Sequence, residues 1–234
     1  MSDILLVDKP AGWTSFDVVA KIRGQIRAEY TARGEKPTKR QLKVGHAGTL
    51  DPFATGLLII LLGDATKRAD EFLKLDKTYE FTARLGEVST TGDPEGEIAA
   101  YRRQTTVDGE QPSPERVREV LKEFTGEISQ VPPVYSAIKV DGKRAYAMAR
   151  KGQEVKLEPR NVTIYSLELV SYAWPELRCT VKVSSGTYIR SLVADIGEAL
   201  GTGAYCTQLR RTEIGNYTLT AAHPIDSLPK PLTK

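Results

Sequence analysis

Six consecutive apolar residues, Leu57-Leu58-Ile59-Ile60-Leu61-Leu62, stand between Gly56 and Gly63 and directly follow the stretch VGHAGTLDPFAT, Val44 to Thr55. A run this short cannot cross a bilayer, which needs roughly 18 or more apolar residues, so it reads as a strand. The glycines ahead of it suggest phosphate binding. A P-loop, however, needs Gly-x-x-x-x-Gly-Lys-Ser/Thr after a strand, and neither Gly45 with Gly48 nor Gly63-Asp64-Ala65-Thr66-Lys67 supplies that order. What remains is one carboxylate, Asp51, between a leucine and a proline. An aspartate in such a place commonly forms a turn, because its side chain bonds the backbone two residues on. The chemical alternative is a nucleophile or base, kept ionised and aimed by a cation. Arg190, in Gly186-Thr187-Tyr188-Ile189-Arg190-Ser191, is a candidate cation where a helix starts after a strand. The plain alternative is a solvated arginine.

At 234 residues the chain fits one large domain or two small ones. The N-terminus has neither a basic region nor a long apolar stretch, so it reads as a first strand and not as a signal peptide. Two cysteines, Cys179 and Cys206, cannot build a disulfide framework, and two histidines give no ligand cluster for a metal. A reducing cytoplasm is the expected location. Net charge is only +3, but from Lys21 to Lys43 eight Lys or Arg face two acidic residues, Glu29 and Glu35. Such a segment attracts a polyanion or forms a solvated loop.

Thr14 with Asp17 has the spacing of a capping box, and Val18, Val19, Ile22 and Ile26 follow at helical spacing, which predicts a helix to about Arg27. Residues 28–42 are polar, contain Gly34 and Pro37, and read as a mobile basic loop. A short helix is expected over 65–75, and strands over 78–85 and 97–103. Ser113-Pro114 starts a helix whose stripe is Val117, Val120, Leu121 and Phe124, with Gly126 as its stop. Residues 162–172 and 176–184 read as paired strands around Ala173-Trp174-Pro175. Ile189, Leu192, Val193, Ile196 and Leu200 form a helix stripe ending at Gly201. Leu209-Arg210-Arg211-Thr212 leads into a last strand. Without a regular βαβ rhythm, the fold class is α+β: a mixed, largely antiparallel sheet with flanking helices. No linker marks a second domain.

Two aromatic features have chemical readings. Tyr79 and Phe81 share one face of a strand, which suits core packing; a tyrosine facing a cleft instead stacks on a flipped base and moves a proton. YSAIKVDGKRAY, Tyr135 to Tyr146, interleaves tyrosines with Lys139, Lys143 and Arg144, a pattern that fits single-stranded RNA or an amphipathic surface. His46 either stacks on a base or caps a loop.

In order along the chain, LLVDKPAGWTS, VGHAGTLDPFATGLL, GDATK, KTYEF, PPVYSAIKVDGKRAYAMARKG, GTYIRSLVADIG and LRRTEIG resemble the TruB family of tRNA pseudouridine synthases, and the match spans nearly the whole chain. The resemblance implies a pseudouridine synthase fold in one catalytic domain over 1–234. It implies isomerisation of one uridine, at tRNA position 55 in the T-loop, to pseudouridine without a cofactor or metal. Asp51 matches the family's catalytic aspartate. Tyr79 matches the tyrosine that stacks on the uracil and takes the C5 proton, and Arg190 the arginine paired with the aspartate. His46 matches the histidine that holds the opened T-loop. Lys9, Lys67, Tyr135, Lys139 and Tyr188 fall in matched motifs as contacts to RNA or groups that shape the site. The expected partner is the tRNA T-stem-loop, bound by a monomer and without a membrane.

Two departures stand out. Many relatives continue into a PUA domain, which is not expected here, and the basic loop at 28–42 is expected to supply phosphate contacts in compensation. Where the family often has an acid, this chain has Thr90. Two other functions are compatible with the resemblance: a guide-dependent RNA pseudouridine synthase, and a tRNA-folding chaperone without catalysis. Intact Asp51, Tyr79 and Arg190 weigh against loss of catalysis, and a tRNA-folding chaperone role beside catalysis is compatible with them.

Overall fold

The structure is a computed structural model and describes residues 3–101, 111–136, 138–140, 142–149, 151–153 and 155–230. In chain order its strands and helices are β1 (Ile4–Lys9), α1 (Ser15–Ala32), β2 (Val44–Ala47), β3 (Thr55–Leu62), α2 (Ala69–Leu73), β4 (Lys77–Leu85), β5 (Glu87–Ser89) and β6 (Ile98–Ala100). There follow α3 (Pro114–Glu123), β7 (Gly126–Gln130), β8 (Lys139–Val140), β9 (Lys143–Arg144), α4 (Ala145–Ala149), β10 (Arg160–Ala173) and β11 (Glu176–Val183). The chain ends with α5 (Ile189–Leu200), β12 (Ala204–Ile214), β13 (Tyr217–Thr218) and β14 (His223–Pro224). It packs as two units, Met1–Tyr79 with Leu209–Lys234, and Glu80–Gln208. The division falls within β4 and within β12.

In the first unit β14, β1, β3 and β12 are neighbours in that order, with β2 also on β3 and β13 on β12. The β1/β14 and β3/β12 pairs are parallel, whereas β1/β3, β2/β3 and β12/β13 are antiparallel. The apolar run Leu57 to Leu62 forms most of β3, where successive side chains point to opposite faces. Leu58 and Ile60 point into one cluster with Val18, Val19, Ile22 and Ile26 of α1. Leu57, Ile59 and Leu61 point into a second cluster with Ala47, Ala65, Phe72 and Ile214. Both faces are covered, and Leu57 through Leu61 have no exposed surface.

The capping box forms as expected: the Thr14 hydroxyl accepts from the Asp17 amide, and the Asp17 carboxylate accepts from the Thr14 amide. The helix does not stop near Arg27 but runs to Ala32, because Tyr30 continues the Ile22–Ile26 stripe into the core and is buried. The basic loop therefore starts at Arg33. Its turn is fastened by Thr38, whose amide donates to the Gln41 side chain at 2.8 Å, and by the Gly63 amide, which donates to the Lys43 carbonyl at 2.8 Å. The expected helix over 65–75 divides into a 3-10 turn, Gly63–Arg68, and α2.

In the second unit β4, β11, β10 and β7 are neighbours in that order. The β10/β11 hairpin turns at Ala173-Trp174-Pro175-Glu176, as expected. β7 pairs antiparallel with the start of β10. α3 begins at the Ser113 cap and buries Val117, Val120 and Leu121; it ends at Glu123, so Gly126 opens β7 and does not stop the helix. α5 buries Ile189, Leu192, Val193 and Ile196 and ends at Gly201 in the left-handed region, at φ 74°. The strand expected over 97–103 is the short β6, paired with β5; residues 102 and 103 lie outside the described residues. Leu209 to Thr212 lie inside β12, not ahead of it. The α+β class and the mixed, mostly antiparallel pairing match the expectation, and no helix is long and apolar enough to cross a membrane among the described residues.

Candidate active site

In the first unit, residues 48–54 join β2 to β3 and carry Asp51. Both of its neighbours are fastened. Leu50 is buried, and Ser15 at the start of α1 holds it twice: the Ser15 hydroxyl accepts from the Leu50 amide at 2.9 Å and donates to the Leu50 carbonyl at 3.2 Å. The Pro52 carbonyl accepts from the Gly12 amide at 2.8 Å and from the Lys9 ammonium at 3.2 Å. The Ala54 amide donates to the carbonyl of Asp51 itself at 3.1 Å. Asp51 is half-buried between these anchors. Hydrogen bonds on each side fix its backbone and limit where its carboxylate points.

Lys9 has no exposed surface, and its ammonium also donates to the carbonyls of Trp13 at 2.6 Å and Pro10 at 2.9 Å. The Lys9 ammonium is thus spent on three carbonyl acceptors around the loop. His46 lies on β2, opposite Ile60 of β3, and is half-buried; it is a strand residue, not a loop residue. Lys67 is exposed in the 3-10 turn and pairs with Asp64 at 3.3 Å, while Arg40 of the basic loop pairs with the same carboxylate. The two cations hold the Asp64 carboxyl below its ordinary value.

Tyr79 is buried on β4, and the guanidinium carbon of Arg211 lies 6.0 Å from its ring centroid. Arg211 is itself 1% exposed. Its Nε donates to the Leu57 carbonyl at 2.8 Å and its Nη2 to the Gly48 carbonyl at 3.0 Å. Two residues before Tyr79, Lys77 is also buried and donates to the carbonyls of Leu73 and Leu75 at 2.6 and 2.5 Å. Burial first, and the Arg211 charge second, lower its ammonium to about 8.

In the second unit, Arg190 sits in the first turn of α5 and is 4% exposed, so it is not a solvated arginine. Its Nη1 donates to the Thr91 carbonyl at 2.6 Å and lies 3.3 Å from the Asp93 carboxylate; its Nη2 donates to the Tyr135 carbonyl at 2.8 Å. Asp93 is equally buried and accepts from the Thr91 hydroxyl and from the Glu95 amide at 3.0 Å. The charges are therefore paired and hydrogen-bonded where they are removed from water. Tyr188, which caps α5, is clamped by Gln130: its amide donates to Oε1 at 2.8 Å and its carbonyl accepts from Nε2 at 3.1 Å. Tyr135 is half-buried, and Lys139 lies on β8 opposite Arg144 of β9.

Sequence reading overlooked Arg211, Asp93 and Lys77. A signal existed for the first. In a strand, adjacent residues face opposite ways, so Arg210 and Arg211 cannot share an environment: Arg210 is partly exposed and pairs with Asp8 at 2.7 Å, and Arg211 is buried. Asp93 was hidden in a turn-rich stretch, where an aspartate is ordinary. No group of three or more His, Cys, Asp or Glu suited to a metal is found among the described residues. Both cysteines are buried, and neither is in a disulfide.

Residues 36–189 match the model of the TruB family pseudouridylate synthases, N-terminal domain, and residues 190–232 match that of the tRNA pseudouridylate synthase B C-terminal domain. The chain is 48% identical over 217 residues to a tRNA pseudouridine synthase B of Parabacteroides distasonis, covering 93% of this chain and 87% of the relative. It is 46% identical over 228 residues to a tRNA pseudouridine synthase B of Phocaeicola vulgatus, covering 97% and 92%. Among solved structures, it is similar to a chain in an H/ACA RNP bound to a substrate RNA containing 2′-deoxyuridine, with a TM-score of 0.65 and 28% identity. That similarity covers 95% of this chain and 51% of the other, so the chain spans about half its length.

Proposed function

The chain belongs to the TruB family of pseudouridylate synthases, and from that premise we propose that it isomerises uridine 55 in the T-loop of tRNA, with Asp51 as the nucleophile. It is an isomerase acting on tRNA. In the reaction the N1–C1′ bond of the uridine breaks, the uracil turns, and C5 joins C1′. The proton leaves C5 and N1 gains one.

A uridine within a folded T-loop must first leave its stack, at a cost of a few kcal/mol. The Tyr79 ring is the platform that offsets this cost, and His46 supports the opened loop. The Asp51 carboxylate then attacks, and three routes are chemically open to it: addition at C6 of the base, attack at C1′ of the sugar, or removal of the C2′ proton through a glycal. Tyr79 takes the C5 proton. Arg190 is the guanidinium the reaction uses, and the Thr91 and Tyr135 carbonyls and the Asp93 carboxylate orient it. Lys67, Tyr135, Lys139 and Tyr188 contact the RNA or shape its site. The chain acts on the T-stem-loop as a monomer, in the cytoplasm.

The observation that carries this reading is the fastening of Leu50 and Pro52 on either side of Asp51. A turn former does not need four hydrogen bonds to its neighbours; a carboxylate that must meet one atom of a flipped base does. The test is to incubate the protein with unmodified tRNA transcript, without guide RNA, and to map pseudouridine at nucleotide resolution. Modification confined to uridine 55 supports the reading, and modification elsewhere, or none, counts against it.

A further inference from the structure

Arg211 touches more of the reactive region of the first unit than any role so far described requires. Its guanidinium donates to the Gly48 carbonyl, where the Asp51 loop leaves β2, and to the Leu57 carbonyl, just after the loop has joined β3. The same group lies over the ring of Tyr79. Its main chain is placed as closely as its side chain: Arg211 pairs with Gly56 in the parallel β3/β12 register. A Cβ on Gly56 would collide with the Arg211 carbonyl oxygen and lie 2.8 Å from its nitrogen. At Gly48, φ is 92°, and a Cβ would lie 3.3 Å from Arg211 Nη1.

We propose that Arg211 is a positioning residue, which sets the Asp51 loop and the Tyr79 ring in one geometry by bridging both ends of the loop beside the ring. The inference rests on the reading of Asp51 and Tyr79 as reacting groups. A planar guanidinium suits this task, because its fork carries donors in fixed directions to two separate carbonyls while its charge lies 6.0 Å from an aromatic ring centroid. A lysine is a point donor on a flexible stem and cannot hold both carbonyls and the ring together. Loss of the guanidinium therefore acts on the chemical step and not on capture of the RNA, since a fully buried group makes no phosphate contact.

The experiment compares wild type, Arg211→Lys and Asp51→Asn for single-turnover pseudouridine formation on unmodified tRNA transcript, tRNA Kd and thermal unfolding. The expected result is a tRNA Kd within about threefold of wild type for Arg211→Lys and a rate lower by about 100-fold, the scale on which a misplacement of 1 Å acts. A wild-type rate for Arg211→Lys with Asp51→Asn inactive overturns the inference alone. An active Asp51→Asn overturns the reading of Asp51, and the inference with it. If Arg211→Lys does not fold, Arg211→Gln decides in its place, because it keeps a planar donor and removes the fork that reaches both carbonyls. A slowed reaction with intact binding supports the inference, and an unchanged rate overturns it.

Discussion

The ammonium of Lys9 donates to the carbonyl of Pro52 at 3.2 Å, so the first strand of the chain reaches directly to the residue after Asp51. That one contact joins a side chain 43 positions away to the loop. Lys9→Met keeps the length and apolar stem of the side chain but removes its donors from three carbonyls. The expected loss is about 2 kcal/mol of stability, the scale for leaving buried acceptors unsatisfied. Pseudouridine formation falls with it. Urea unfolding and a single-turnover assay measure the two effects, and an unchanged midpoint would show that Lys9 does not hold the loop.

Two glycines predict opposite outcomes. Gly56 has φ 101° and no room for a Cβ against Arg211. Gly56→Ala is expected to lose about 3 kcal/mol or more from strain and overpacking. Gly24 lies exposed within α1 with nothing within 4 Å of a Cβ. Gly24→Ala is expected to gain about 0.5–1 kcal/mol, because the unfolded chain loses freedom and the helix is favoured. Thermal melting of the two variants reads both signs.

Lys77 gives stability a pH dependence. Its native value of about 8 lies below the ordinary 10.5, first because of burial and second because of Arg211. Between these values the unfolded chain holds a proton that the native chain has released, so stability rises as pH rises from about 8 to 10.5. Below about 8 the penalty for a buried ammonium is fully present. The whole effect is about 3 kcal/mol. Urea titrations across this window detect it, and Lys77→Met is expected to flatten the slope.

The basic loop is tested by charge and not by deletion. Removing residues 28–42 would take out Tyr30, which is part of the α1 core stripe. Lys36, Lys39 and Lys43 are exposed on the turn that follows. If they meet tRNA phosphates, replacing all three with Gln reduces the slope of log K against log salt by about 0.7–0.9 for each phosphate no longer neutralised. An unchanged slope would mean the loop is a solvated surface.

Much of this fold was legible because its signals are local. The Thr14 capping box, the Ser113 cap and the α5 stripe ending at Gly201 are short patterns, and each formed where expected. The α1 terminus was misplaced because Tyr30 stands alone among polar residues, and only tertiary packing shows that it is buried. The candidate site was read in a different way. Asp51, Tyr79 and Arg190 became candidates through the order of motifs, since each by itself has an ordinary structural use. What could not be read was the support beneath them. Arg211 and Asp93 are charged residues in a strand and a turn, where exposure is the usual state, and their burial depends on partners far along the chain. For Lys9 the acceptors Pro10 and Trp13 are near in sequence, and only Pro52 arrives when the loop folds back onto β1.

The measurement closest to the centre of this account replaces Asp51 with Asn and follows both tRNA binding and pseudouridine at nucleotide resolution. The substitution preserves size and removes the carboxylate proposed to attack. The account predicts wild-type affinity for unmodified tRNA and no pseudouridine at position 55, while wild type modifies that uridine alone. Pseudouridine formed by Asp51→Asn at a rate near wild type would contradict it.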